Sequence, residues 1–269
     1  MKILTCTEPG HLEYGELPTP APEKGHALIK IKRIGICGTD LHAFEGTQPY
    51  FSYPRILGHE LAGELMEGSD AEGFETGEAV TFIPYFNCGK CIACREGLPN
   101  CCVNIRVCGV HADGGMAEYL SVPAYSLVHG NGLSFDELAL VEPLAIGAHG
   151  VRRAGVRPGE FVLVTGAGPI GLGIMEFARI AGGRVIAVDI NRQRLDFCRE
   201  RIGVEHTING REENITDQLN RITGGDMPTV VIDATGNQKA INDAFQYMAH
   251  GGRYVLVGLQ KRRNQRQPP

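Results

Sequence analysis

Four cysteines stand at Cys88, Cys91, Cys94 and Cys102, two successive C-x2-C steps followed by a fourth thiol after seven residues. Thiolates at that spacing reach one tetrahedral ion at about 2.3 Å per Zn–S bond, and the fourth closes the shell. A closed shell leaves no position for a substrate, so this set implies a structural metal. Cys101 competes with Cys102 for the fourth place; the spacing favours Cys102 and leaves Cys101 a bystander. Disulfide pairing is the rival reading, and a reducing compartment opposes it.

A second set is scattered. Cys37, Thr39 and His42 fall in CGTDLH, His59 and Glu60 in GHE, and Glu142 in VEPL. Thiolate, imidazole and carboxylate together suit an open metal site, but residues this far apart are not joined by spacing. Each also has a plain structural reading: Cys37 as a core thiol, His42 and His59 as solvated histidines, Glu142 as an acid at a helix start beside Pro143.

The third candidate is Gly166-Ala-Gly168-Pro169-Ile170-Gly171, which follows the apolar run FVLVT and opens the helical pattern IGLGIMEFARIAG. The first glycine permits a tight turn, the second lets a pyrophosphate approach backbone, and the third lets helix pack on strand. The helix start adds N–H donors and a favourable dipole for phosphate. Asp189 ends the next run, RVIAVD, 18 residues after Gly171. An acid there bonds the adenosine ribose hydroxyls and repels the extra phosphate of NADP, so NAD is expected. Arg192 and Arg194 keep NADP as the alternative.

The elements that must carry these residues differ between the two halves. Up to about Ser121, ALIKIKRIGI, GHELAGEL, EAVTFIPY and MAEYLSVP read as short strands broken by turns. From about Glu142, helix and strand alternate: PLAIGAHGVRRAG as helix, and FVLVTG, RVIAVD, a weak strand near His206–Ile208, TVVIDATG and RYVLVGL as strands buried on both faces. The boundary is expected within 142–155, with domains over 1–145 and 146–260. After Leu259 the run QKRRNQRQPP has nothing apolar to pack, and residues 261–269 are expected to be disordered.

Composition narrows the function. A chain of 269 residues with 43% hydrophobic content holds two domains. A net charge of −5 with interspersed signs gives no footprint for nucleic acid or an anionic membrane, which leaves small molecules as partners. The first residues, MKILTCTEPG, are too short an apolar run for a signal peptide, and no run is long enough for a membrane span. A cytoplasmic address is expected.

The segments GICGTDLH, GHELAGE, the four-cysteine lobe, GGMAEYLSVP, EPLAIGAHG and VTGAGPIGLG stand in the order found in zinc-dependent medium-chain alcohol and polyol dehydrogenases. The chain resembles that family over essentially residues 1–260. QPYFSYPRILGHE, GVHADGGMAEYLSVP and IDATGNQ resemble its sugar-acid branch, of the L-galactonate 5-dehydrogenase type. The resemblance implies a GroES-like β domain with a zinc lobe, then a doubly wound Rossmann domain. It implies NAD and two zinc ions, one catalytic and one structural, and a sugar acid or polyol as substrate. Carried over by position, Cys37 and His59 match catalytic zinc ligands. Glu142 matches a third ligand, and Glu60 an acid that coordinates directly or exchanges with water. Glu60 and Glu142 are not ranked by sequence. Thr39 and His42 match a proton relay, and the cofactor set is Gly166, Gly168, Pro169, Ile170, Gly171, Asp189 and Arg194.

A doubly wound domain has about six strands, and five are legible. The resemblance implies that family members continue past this point to finish the sheet and return to the β domain. The Rossmann domain is therefore expected to be incomplete, with RYVLVGL an uncovered edge. The homo-oligomer usual in the family is in doubt on that reading, and activity of this chain is expected to be weak or absent.

Overall fold

The structure, a computed structural model, describes residues 1–48, 50–67 and 72–259. The expected disorder over 261–269 lies outside the described residues. The chain divides between Glu142 and Pro143 into two compact units.

The first unit carries β1 (Lys2–Glu8), β2 (His11–Glu16), β3 (His26–Gly35), α1 (Gly38–Phe44), β4 (Arg55–Ile56), β5 (Glu60–Glu67), β6 (Ala79–Phe82), β7 (Tyr85–Phe86), α2 (Ile92–Arg95), β8 (Arg106–Val107), β9 (Tyr119–Pro123), β10 (Leu127–His129) and α3 (Phe135–Ala139). Its main sheet is antiparallel in the order β10-β6-β5-β3-β9, beside a three-stranded sheet β2-β1-β4. Alternation selects the core: Ala27 and Ile29 of β3, Leu61 and Leu65 of β5, and Val80 and Phe82 of β6 share one buried cluster. Each such large aliphatic side chain contributes about 1.5–3 kcal/mol on burial. The register of β3 on β5 places Gly35 opposite Glu60. That pairing brings the chain just after β3 beside the chain just before β5.

Helix α4 (Val141–Ala154) runs into the second unit, with Pro143 in its first turn. Next come β11 (Phe161–Thr165), α5 (Pro169–Ile180), β12 (Arg184–Asp189), α6 (Arg192–Phe197), β13 (His206–Asn209), α7 (Ile215–Thr223), β14 (Val230–Asp233), α8 (Gln238–Ala244) and β15 (Arg253–Leu256). All pairings are parallel, in the order β13-β12-β11-β14-β15. The first strand of the unit lies at the centre, as in a doubly wound fold. Alternate residues of each strand serve opposite cores: Val162, Val164, Val185, Ala187, Val230 and Ile232 pack on one face, and Leu163, Ile186, Val188 and Val231 on the other. Two covered faces explain why these strands read as unbroken apolar runs. Helix α4 belongs here because Gly147 packs on Gly173 of α5, where an added Cβ would come within 2.8 Å of the Gly173 carbonyl carbon. Among the described residues the sheet has five strands, and β15 pairs with β14 alone. Among the same residues, no helix is long and apolar enough to cross a membrane.

Candidate active site

The four-cysteine lobe grows out of β7 and returns through β8. The two pair as Tyr85 with Val107 and Phe86 with Arg106, which pins the ends of the loop together. Inside it, Cys88, Cys91, Cys94 and Cys102 bring their sulfurs within 4.8 Å of one another. A tetrahedron with 2.3 Å bonds needs sulfurs about 3.8 Å apart, so the set fits one zinc ion. Backbone donors converge on the sulfurs. The N–H groups of Lys90 and Cys91 hold the Cys88 thiol down at about 6, and those of Cys94 and Val103 lower Cys91. Cys88 N and Asn104 N both donate to Cys102 Sγ at 3.3 Å. Cys101 is exposed and outside the group.

The scattered set is gathered by the β3–β5 register. Cys37 precedes α1, while His59 and Glu60 enter β5, and their ligand atoms lie within 4.8 Å of one another. Gly35 makes room for the carboxylate: an added Cβ there would sit 2.2 Å from Glu60 Oε2. Burial pushes the Cys37 thiol up to about 12, against hydrogen bonds from the Thr39 N–H and hydroxyl that reach its sulfur. Burial also raises Glu60 and Glu142 above the usual carboxylate range. His59 is 5% exposed, and its Nδ1 is buried without a hydrogen-bond partner. A thiol, an imidazole and a carboxylate gathered within 4.8 Å are a donor set that a divalent cation satisfies, so these residues fit zinc. Glu142 lies beside the set and outside it, accepting from Tyr85 Oη at 2.5 Å through Oε1. Thr39 and His42 are three residues apart on α1, on one helix face, and both are half-buried.

Asp40 organises this cluster and escaped the sequence reading. It is 3% exposed. Its carboxylate accepts from Cys37 N at 2.9 Å and from Gly58 N at 3.2 Å, and Oδ1 lies 3.8 Å from His59 Nδ1. Its signal was available, an acid three residues after the helix-capping position at Cys37. Gly35 and Tyr85 left no such signal. Tyr53 donates its hydroxyl to the Ala43 carbonyl and packs on Cys6, Ala43 and Leu57. Tyr50 is exposed.

In the second unit the glycine-rich turn joins β11 to α5. Gly166 takes φ +94°, and an added Cβ on Gly171 would meet the Gly166 carbonyl oxygen at 1.9 Å, so helix and turn touch through glycine. A Cβ on Gly168 meets nothing within 4 Å, which leaves open space at the start of α5. A cavity of about 500 Å³ lies there, bordered by Gly166, Gly168, Asp189, Arg194, Thr235 and Asn237. Pro169, Ile170 and Gly171 form the first turn of α5 behind it. Asp189 accepts from Ala167 N at 2.7 Å and Asn191 N at 2.8 Å, with Arg194 Nη1 3.8 Å from its Oδ2. Arg192 pairs instead with Glu212 at 2.6 Å. The opposite wall is fixed by Asp233, also unforeseen. It is fully buried and accepts from the Thr165 and Thr235 hydroxyls and from Thr235 N and Gly236 N.

Residues 23–131 match the alcohol dehydrogenase GroES-like domain, and residues 169–268 match the zinc-binding dehydrogenase family. The chain is 45% identical over 262 residues to an L-galactonate-5-dehydrogenase of Escherichia coli (strain K12), covering 97% of this chain and 77% of that one. It is 35% identical to a sorbitol dehydrogenase of Halalkalibacterium halodurans, covering 96% and 77%. A crystal structure described as a short chain alcohol dehydrogenase from E. coli CFT073 complexed with NADH superposes with a TM-score of 0.90 at 32% identity, over 98% of this chain and 78% of that one. The chain belongs to the zinc-type alcohol dehydrogenase family, oxidoreductases acting on CH–OH groups, with a GroES-like domain ahead of a Rossmann domain.

Proposed function

We propose that this chain oxidises a secondary alcohol of a sugar acid or polyol, passing the hydride to NAD, with one zinc held by Cys37, His59 and Glu60 and a second by Cys88, Cys91, Cys94 and Cys102. The observation that carries the reading is the convergence within 4.8 Å of a thiol from one segment with an imidazole and a carboxylate from another. Three protein ligands leave a position open, unlike the four thiols of the lobe. The sugar-acid preference is supported by the L-galactonate-5-dehydrogenase relative, and the polyol class by the sorbitol dehydrogenase.

When bound, zinc supplies Lewis acidity that brings a coordinated hydroxyl toward neutral pKa, and NAD supplies the hydride acceptor. The chain's own groups do the rest. The Thr39 hydroxyl, beside Cys37, accepts the proton of the alcohol and hands it to His42 one turn along α1. Loss of that proton and of the carbinol hydride leaves a ketone, so the atoms balance as ketone, proton and reduced cofactor. The open space at Gly168 and the N–H groups starting α5 receive the pyrophosphate. Asp189 Oδ1 and Oδ2 keep acceptor capacity for the ribose hydroxyls. Its charge, together with the commitment of Arg192 to Glu212, favours NAD over NADP.

A second reading is a chain that holds zinc and NAD without turnover. One experiment separates the two: metal analysis of the purified chain with an NAD reduction assay over aldonates and polyols. Two zinc ions with turnover support the first reading; two zinc ions with none establishes the second reading, and one zinc or none sinks the first.

A further inference from the structure

Five groups around the Cys37 site could bear negative charge: Cys37, Asp40, Glu60, Glu142 and Tyr85. Asp40 is committed to the two N–H groups that shape the loop. Glu60 already lies with Cys37 and His59. Glu142 is left, 8% exposed at the start of α4, and its charge acts on Glu60 while that of His59 acts on it. A carboxylate so close to a three-ligand site is the natural fourth ligand. Four protein ligands would close the site as the lobe is closed and leave no position for a substrate.

One side chain stands against that outcome. Tyr85 occupies β7, held in register opposite Val107, and donates to Glu142 Oε1 at 2.5 Å. A short bond from a phenol to a carboxylate inside the fold is charge-assisted and directional. We propose that Tyr85 is a positioning residue that holds Glu142 off the Cys37, His59 and Glu60 set, so that the fourth place around a bound zinc stays open to substrate. The inference rests on the zinc site proposed above. It assigns the two carboxylates different duties: Glu60 ligates, and Glu142 is kept in reserve.

The test uses the full chain loaded with cobalt(II), whose visible absorption reports its ligands. In the unsubstituted chain, added imidazole enters the open place and shifts the spectrum. In Tyr85→Phe the freed carboxylate takes that place, so the imidazole response is lost, chelator removal of this metal slows at least fivefold, and kcat falls tenfold or more while NAD binding is unchanged. Tyr85→Phe with Glu142→Gln restores the imidazole response and the chelator rate, which a merely structural role for Tyr85 would not produce. Glu142→Gln alone, which keeps an acceptor for Tyr85, leaves the spectrum and metal retention as they were. The inference is overturned if Tyr85→Phe keeps the original response and rate, if the double variant keeps the Tyr85→Phe changes, or if Glu142→Gln alone loses the metal. Failure of the unsubstituted chain to bind any metal beyond the lobe overturns the zinc-site reading itself.

Discussion

The four-cysteine lobe and the Cys37 site are both built around thiols, in opposite surroundings. The lobe has little core of its own: Ile92 is 59% exposed, Leu98 50% and Val103 72%. Its order comes from the β7–β8 clamp and from whatever the four sulfurs hold. The Cys37 site lies inside packed structure, with His59, Glu60, Glu142 and Asp40 all buried. In the lobe, backbone N–H groups pull Cys88 and Cys91 toward the thiolate form; at the Cys37 site, burial pushes the thiol the other way. The difference teaches that a lobe lacking a core uses its metal in place of one, whereas a site already held by the fold can leave a ligand position vacant for chemistry.

The comparison breaks most sharply at Cys37. Cys37→Ser is expected to lower kcat/KM by about a thousandfold or more, the several kcal/mol of Lewis-acid stabilisation lost with the metal. Zinc content should fall from two to one with NAD binding and the unfolding midpoint little changed; a fall to zero would mean that the two sites are not independent. Cys94→Ser tests the other region. Loss of a lobe ligand should cost the second zinc and open residues 87–105 to proteolysis, because exposed Ile92, Leu98 and Val103 supply no alternative core. Protection of that segment equal to the unsubstituted chain would show that the lobe is held by protein contacts after all.

Two smaller changes sharpen the account of the buried site. Asp40→Asn keeps the volume but sets an amide against two N–H donors and removes the charge beside His59. Metal affinity of the Cys37 set should drop about 10- to 100-fold, the usual cost of losing an outer-shell partner, with the lobe's zinc retained in a competitive chelator titration. Gly35→Ala is expected to act through Glu60, since the new methyl lands on its carboxylate. Activity should fall roughly tenfold, about 1.4 kcal/mol, while thermal unfolding moves less than for Cys94→Ser.

The legibility of the two regions followed from how each is built. The lobe's four ligands fall within one loop, so their spacing alone carried the geometry, including the preference for Cys102 over Cys101. The Rossmann strands were equally plain, because a sheet buried on both faces writes itself as apolar runs. The early strands β1 and β2 were not picked out: β2 is mostly exposed and has no clean alternation to show. Asp40 could have been found from its place after Cys37. Gly35 and Tyr85 could not, since their importance depends on which residue the sheet sets opposite them.

The sequence by itself determined the two domain types, the zinc-lobe spacing, and the glycine turn with its acid at Asp189, because each is a local pattern whose physics acts within a few residues. The resemblance named Cys37 and His59, but only tertiary structure gathers them and sets Glu60 rather than Glu142 beside them. It is the antiparallel register of β3 on β5, with Gly35 across from Glu60, that brings together side chains more than twenty residues apart, and Tyr85 on a separate strand that sets Glu142 aside. Register is fixed by which faces of the strands bury their apolar residues, and no single segment of the chain contains that information.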